Sequence, residues 1–254
     1  MTTIIRYQRH YKSEKHPVLG KVPAASGIED SYQNGLEDAV NHPNHEVRCY
    51  HSSAIRTEMP IDAYLMGRGQ GSKEHLSQLD SVEGPEEIDR LRKDLGDDES
   101  NKIKLARYDR KGNSSEPETT TDYYERLYQS GKSIADYIIG EIKRAVEDPD
   151  KNEIVQLRGH EPSMSVSLIE LAKKLLGYKG EDNASYFREL SGSDVHYFIE
   201  GTEYTIEVRE VDGEVRAFLT TEAGEVELDI SGIVPEAGLE ERVAEESEEA
   251  GEEA

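Results

Sequence analysis

The amino-acid sequence predicts an α/β fold, a three-layer sandwich with a mostly parallel central sheet plus an antiparallel C-terminal extension. Two observations predict the parallel part. From Thr3 to about Gly177, short runs with β-branched residues alternate with longer segments of helical period, as in units whose strands are joined by crossover helices. Three of the predicted strands end in segments bearing Arg, His or Ser, and strand ends are where open parallel sheets bind ligands. A third observation predicts the extension. From Val195 onward, apolar and polar residues alternate around Asp212-Gly213 and Ala223-Gly224, both hairpin signals.

The elements follow in order. Thr3 to Arg9 opens with β-branched residues and reads as the first strand, although Arg6 and Gln8 make it more polar than a strand covered on both faces should be. A Gly- and Pro-bearing loop covers Pro17 to Ser26. Ile28, Ser31, Tyr32, Leu36 and Val40 then recur at helical spacing, with Ser26 placed as a cap. His45 to Tyr50 is a second strand, and Ala54 to Met66 a helix that Gly67 can end. Residues 67–113 are Gly-rich, then acidic, without strong periodicity, and read as an insert or lid. Thr119 to Val146 gives the longest helical pattern. Gly131 is a candidate break in it, and Tyr123, Tyr124, Tyr128 and Tyr137 read as core packing. Glu153 to Arg158 is a strand, and Pro162 to Leu176 a helix whose proline falls near the first turn, where a missing N–H costs nothing. Val195 to Ile199, Tyr204 to Val211, Glu214 to Thr221 and Glu225 to Ile230 are the expected antiparallel strands.

The chain carries 54 acidic against 30 basic side chains, a net charge of −24. Nine glutamates against one arginine put −8 on residues 236–254, and nine acids against three bases put −6 on Asp80 to Glu99. The remainder of the chain holds −10. The expected organisation is one domain over 1–234, with the 67–113 insert and a 195–232 β extension, then a disordered acidic tail over 235–254. This charge excludes nucleic-acid binding through a general basic surface, because phosphate neutralisation is the main source of that affinity. The apolar runs, such as Ile134 to Ile139, fall far short of the roughly 20 residues of a membrane span. The first residues lack the basic start and apolar middle of a signal peptide. Cys49, the single cysteine, has no internal disulfide partner and reads as a small buried hydrophobe, so the expected location is cytoplasmic. His42, His45 and His51 lie close in sequence but in loop and strand context, and read as solvated side chains; no cofactor or metal is expected.

The chemistry gathers in three segments: Arg9-His10 after the first strand, His51-Ser52-Ser53-Ala54-Ile55-Arg56 after the second, and Gly159-His160-Glu161-Pro162 after the strand ending at Arg158. Arginines offer planar, permanently charged forks to phosphate oxygens. Imidazoles titrate near neutrality and can act as nucleophile or charge stabiliser. Arg6 and Arg158 could widen the cationic pocket, but a strand-end arginine paired with a surface acid is the plainer reading of both.

The order strand, Arg-His, helix, strand, Ser-Ser-x-x-Arg on a second helix, and later strand and Gly-His-Glu-Pro resembles the histidine phosphatase superfamily, also called phosphoglycerate-mutase-like. Arg9-His10-Tyr11-Lys12-Ser13-Glu14 is similar to the Arg-His-Ala-Lys-Ser form of its small phosphohistidine-phosphatase-like branch. Pro23 to Gly27 with Ser31 resembles that family's helix start. Two positions depart from its pattern: Tyr11 stands where Gly or Ala is usual, and Pro60 where the second helix usually carries Thr.

The resemblance implies a two-step phosphoryl transfer without a cofactor. His10 would become phosphohistidine, and Arg9, Arg56 and His160 would bind the phosphoryl oxygens. Glu83, Asp80 and Glu161 are the candidate general acids. Tyr11 and Glu161 are candidate substrate contacts. The expected partner is a phosphorylated small molecule or a phosphoprotein, with no nucleic acid and no membrane; the oligomeric state stays open. A non-catalytic module that keeps the pocket and a phosphoglycerate-type mutase are the alternatives, and a third reading has the acidic tail and insert recruit a basic partner.

Overall fold

A computed structural model describes residues 2–82, 86–107 and 118–233. Seven strands form one sheet in the order β5-β4-β6-β1-β7-β8-β9: β1 (Thr2–Arg9), β4 (Glu46–His51), β5 (Ser72–His75), β6 (Glu153–Gly159), β7 (Glu203–Val211), β8 (Glu214–Thr221) and β9 (Gly224–Leu228). The first four run parallel, and the last three continue the same sheet antiparallel from β1. A separate hairpin, β2 (Ser13–His16) and β3 (Gly20–Pro23), stands where a plain loop was expected. The helices are α1 (Ala25–Asn41), α2 (Ile55–Arg68), α3 (Glu86–Arg107), α4 (Glu118–Glu147), α5 (Ser163–Leu175) and α6 (Asn183–Ser191).

Side-chain alternation along the strands makes the layers. Ile4, Val47, Cys49 and Ile154 face Ile61 and Tyr64 of α2, while Ile5, Tyr7, Val155 and Leu157 face Leu127, Ile134 and Ile138 of α4 and the apolar side of α5. All seven residues of β6 are buried, as a strand covered on both faces requires. Burial also pushes the Cys49 thiol up to about 12, so it stays protonated. The polar residues of β1 are accommodated by pairing. Arg6 lies 2.5 Å from the carboxylate of Asp38 on α1, and the Tyr64 hydroxyl donates to the same Asp38 oxygen at 2.6 Å. The acid partnering Arg6 is therefore buried in a helix interface, not on the surface as expected.

Several boundaries differ from the sequence reading for local physical reasons. Ala24, not Ser26, precedes α1, and no side chain caps that end. α1 turns Gly27, Ser31, Gly35 and Asp38 inward and leaves Leu36 and Val40 exposed, because it packs so closely on α2 that a Cβ on Gly35 would sit 2.1 Å from the Tyr64 carbonyl. Gly67 lies inside α2 at the same contact, and the helix ends instead at Gly69, whose φ of 80° suits a left-handed cap. Gly131 does not break α4. It lets α5 approach, since a Cβ there would lie 2.3 Å from Val166 Cγ1. The stretch 67–113 supplies β5, a 3-10 turn over Ser77–Leu79, and α3, which Gly96 interrupts. Val195 to Ile199 is not a strand but a bent segment leading into β7. The tail over 235–254 lies outside the described residues, and no helix among those described is long and apolar enough to cross a membrane.

Candidate active site

The register of the parallel strands decides what meets at their C-terminal ends. Arg9 pairs with Gly159 and His51 with Arg158, so the residues after β1, β4 and β6 emerge at one edge of the sheet. The amide of His10 donates to the Gly159 carbonyl at 3.2 Å. The imidazoles of His10 and His160 come to 5.1 Å between centroids, and Arg56 Nη2 lies 3.2 Å from His160 Nδ1.

Hydrogen bonding settles the proton on each ring. His10 Nδ1 lies 2.7 Å from the Tyr11 carbonyl, which can only accept, so Nδ1 carries the hydrogen and Nε2 keeps its lone pair. Burial lowers the His10 pKa to about 4, with Arg56 and Arg9 adding to the effect, so the ring is neutral at pH 7. His160 is fixed by a relay. Thr57 Oγ1 donates to the Ala54 carbonyl at 2.6 Å, which leaves its oxygen to accept from Ser52 Oγ at 2.8 Å. Ser52 Oγ in turn accepts His160 Nε2–H at 2.7 Å and the Ala54 amide at 3.2 Å. His160 Nδ1 is then the acceptor that faces Arg56. Burial, with Arg56 and His10 beside it, lowers the His160 pKa to about 3. Sequence reasoning quoted Ser52 without a role and missed Thr57, whose only signal was a hydroxyl in the first turn of α2.

Arg9, whose charge acts on both imidazoles, is bound by the bent segment that follows residue 192. Its Nη1 donates to the Phe198 carbonyl, its Nη2 lies 3.7 Å from Glu200, and its guanidinium stands 5.7 Å from the Tyr197 ring centroid. That segment is tied at two further points. Asp98 of α3 accepts both the amide and Nδ1 of His196, at 2.8 and 2.9 Å, and Glu161 accepts the Phe198 amide at 3.0 Å.

The three candidate acids differ in placement. Glu161 accepts Ser165 Oγ at 2.8 Å on each oxygen, and burial raises its pKa despite Arg9 nearby. Asp80 is half-buried and accepts the Ser53 amide at 2.6 Å and His75 Nε2 at 3.2 Å. Burial alone would push its carboxyl up, but these donors more than offset it and leave it below its ordinary value. Glu83 lies outside the described residues. Tyr11 is buried, its hydroxyl accepting Gln8 Nε2 at 3.3 Å. His51 is buried too, Nδ1 donating to the Ser52 carbonyl at 2.8 Å, and is not the solvated ring expected. Arg158 is buried beneath Tyr11, without the surface acid expected for it. Among the described residues no group of three or more His, Cys, Asp or Glu could hold a metal ion.

No protein-family model and no curated protein matches the chain by sequence. Solved structures match by architecture. A mycobacterial glucosyl-3-phosphoglycerate phosphatase aligns over 88% of this chain and 100% of its own, with a TM-score of 0.51 and 10% identity. A putative phosphohistidine phosphatase SixA from Agrobacterium tumefaciens covers 83% and 96%, with a TM-score of 0.40 and 12% identity. A variant phosphoserine phosphatase from Entamoeba histolytica, in complex with phosphoserine, covers 89% and 94%, with a TM-score of 0.46 and 10% identity. By the first of these alignments the chain shares the fold of that phosphatase, and its mostly parallel central sheet with antiparallel strands at one side is consistent with the histidine phosphatase fold.

Proposed function

We propose that this chain is a phosphatase that hydrolyses a phosphomonoester or phosphoprotein through a phosphohistidine at His10. The observation that carries the reading is a neutral His10, its Nδ1–H on the Tyr11 carbonyl, whose ring lies 5.1 Å from that of His160, itself in contact with Arg56 at the sheet edge. A fold alone does not assign a function, so the argument rests on this geometry; that a phosphatase shares the fold is consistent with it.

In the first step the Nε2 lone pair attacks phosphorus in line, and the ester P–O bond breaks as the N–P bond forms. The leaving oxygen takes a proton from a carboxylic acid. In the second step water attacks the phosphohistidine, the same carboxylate accepts its proton, and the N–P bond returns its electrons to Nε2. An arriving phosphoryl dianion opposes the burial and the arginine repulsion that together keep both imidazoles neutral. Arg56 can then pass from His160 Nδ1 to a phosphoryl oxygen, and His160 can take a proton at Nδ1 and donate to another, while Nε2–H stays on Ser52. Arg9 completes the cradle once the phosphoryl group outcompetes the Phe198 carbonyl and Glu200.

Of the two described acids, Glu161 has Oε1 on the Phe198 amide and both oxygens on Ser165 Oγ, whereas Asp80 is partly exposed and its charge acts on His160, and we assign the proton transfer to Asp80. Its carboxyl sits low in the free protein, but a dianion beside it opposes ionisation and drives it toward the protonated form. Asp80→Asn is expected to lower kcat on an alkyl phosphate by on the order of 10²-fold and much less on p-nitrophenyl phosphate, whose leaving group needs little protonation. That same contrast in Glu83→Gln, with Asp80→Asn unaffected, would move the role to Glu83.

The deciding experiment is a quench of turnover with labelled phosphomonoester. Wild type should retain acid-labile, base-stable phosphate on His10, and His10→Ala should show neither label nor turnover. The engagement of Arg9 by Phe198 and Glu200 favours one other reading, a phospho-ligand-binding module. Saturable phosphate binding by a wild type that never acquires label would establish that instead.

A further inference from the structure

Arg158, at the end of β6, is 1% exposed, and neither its Nε nor its Nη1 has a hydrogen-bond partner among the described residues. A buried guanidinium with unused donors is costly and calls for something that gains from it. Two groups face it. The Glu203 carboxyl, raised by burial, is drawn down again by Arg6 and Arg158. The Tyr11 ring centroid lies 5.1 Å from Arg158 Cζ, within cation–π range.

Tyr11 is held on its other sides as well. A Cβ on Gly27 would fall 2.4 Å from Tyr11 Cγ, and one on Gly201 would fall 3.2 Å from Cδ1, so both glycines leave room that the ring fills. Its hydroxyl takes the Gln8 donor. A ring fixed on four sides fixes its own backbone, and the carbonyl of Tyr11 is the atom that holds the proton on His10 Nδ1.

We propose that Arg158 is a positioning residue for the phosphoryl transfer argued above, pinning the Tyr11 ring so that the Tyr11 carbonyl keeps His10 in the tautomer whose Nε2 faces substrate. The inference rests on the phosphatase reading for its kinetic consequence only; the tautomer itself belongs to the free protein.

The test uses full-length wild type, R158M and R158K, with the His10 ring nitrogens followed by NMR at pH 7 and steady-state kinetics on p-nitrophenyl phosphate. Wild type should show one His10 tautomer, protonated at Nδ1. R158M should show a mixture of the two, with kcat lower by on the order of 10²-fold and KM within about threefold, because Arg9 and Arg56 still hold the phosphoryl group. R158K keeps the cation but not the planar face, so it should fall between, and it carries the test should R158M fail to fold. Unchanged tautomers in the folded variants overturn the proposal, whether or not kcat falls. A wild type without turnover whose His10 tautomer nevertheless shifts in R158M defeats the phosphatase reading and leaves the positioning role standing.

Discussion

Two buried imidazoles kept neutral beside two arginines leave a mark on stability as well as on chemistry. His10 titrates at about 4 and His160 at about 3 in the folded chain, against about 6.5 for an unperturbed histidine. Below pH 6.5 the unfolded chain takes up protons that the folded chain refuses. The stability held above that pH is therefore lost progressively as pH falls toward the folded values. The urea midpoint should drop between pH 7 and pH 4.5, with the His10 share approaching on the order of 3 kcal/mol near pH 4. His10→Asn should flatten that slope, and an unaltered slope would show that His10 is not the buried neutral group described. At this scale the sequence was informative where a residue type has one chemistry: Arg9, His10, Arg56 and His160 were named from motif and strand end alone. For Arg158 the expectation was a surface acid, and that rule for strand-end arginines says nothing of an aromatic ring folded over the guanidinium.

Helices α1 and α2 show why a correct element can carry a wrong face. Periodicity pointed to Leu36 and Val40, yet the buried stripe of α1 is Gly27, Ser31, Gly35 and Asp38. Hydrophobic spacing marks faces that bury large side chains, whereas close helix contact selects small ones, and glycine carries no hydropathy signal. Gly67→Ala would place a Cβ 2.2 Å from the Tyr32 carbonyl and should cost roughly 1–3 kcal/mol, read as a lower urea midpoint. Gly140→Ala on α4 meets nothing within 4 Å and should gain up to about 1 kcal/mol from helix propensity. If the two substitutions shift the midpoint alike, the α1–α2 contact is looser than described. The segment 195–199 failed for a different reason. Its alternation is real, but its polar groups are spent on Asp98, Glu161 and Arg9, so it wraps the site instead of joining the sheet.

For the molecule as a whole, the fold class was legible because strand and helix alternate along most of the chain, and the outcome is a single sheet with its site at the ends of β1, β4 and β6. A chain of net charge −24 repels a phosphomonoester dianion until it is near the arginines. Raising ionic strength from 0.01 to 0.15 M shortens the screening length from about 30 to about 8 Å, so kcat/KM should climb several-fold over that range. A flat profile would show that Arg9 and Arg56 dominate even the long-range field. The sheet order has one more consequence, in time. β1 carries the nucleophile but lies between β6 and β7, which begin at residues 153 and 203. At synthesis rates of roughly 5–20 residues per second, the strand waits on the order of ten seconds or more for either neighbour. Until then, Ile4, Ile5 and Tyr7 have no sheet to enter, and His160 has not been made. The nascent chain thus carries a sticky, chemically inert N-terminal strand that the ribosome or a chaperone must shelter until the C-terminal half arrives.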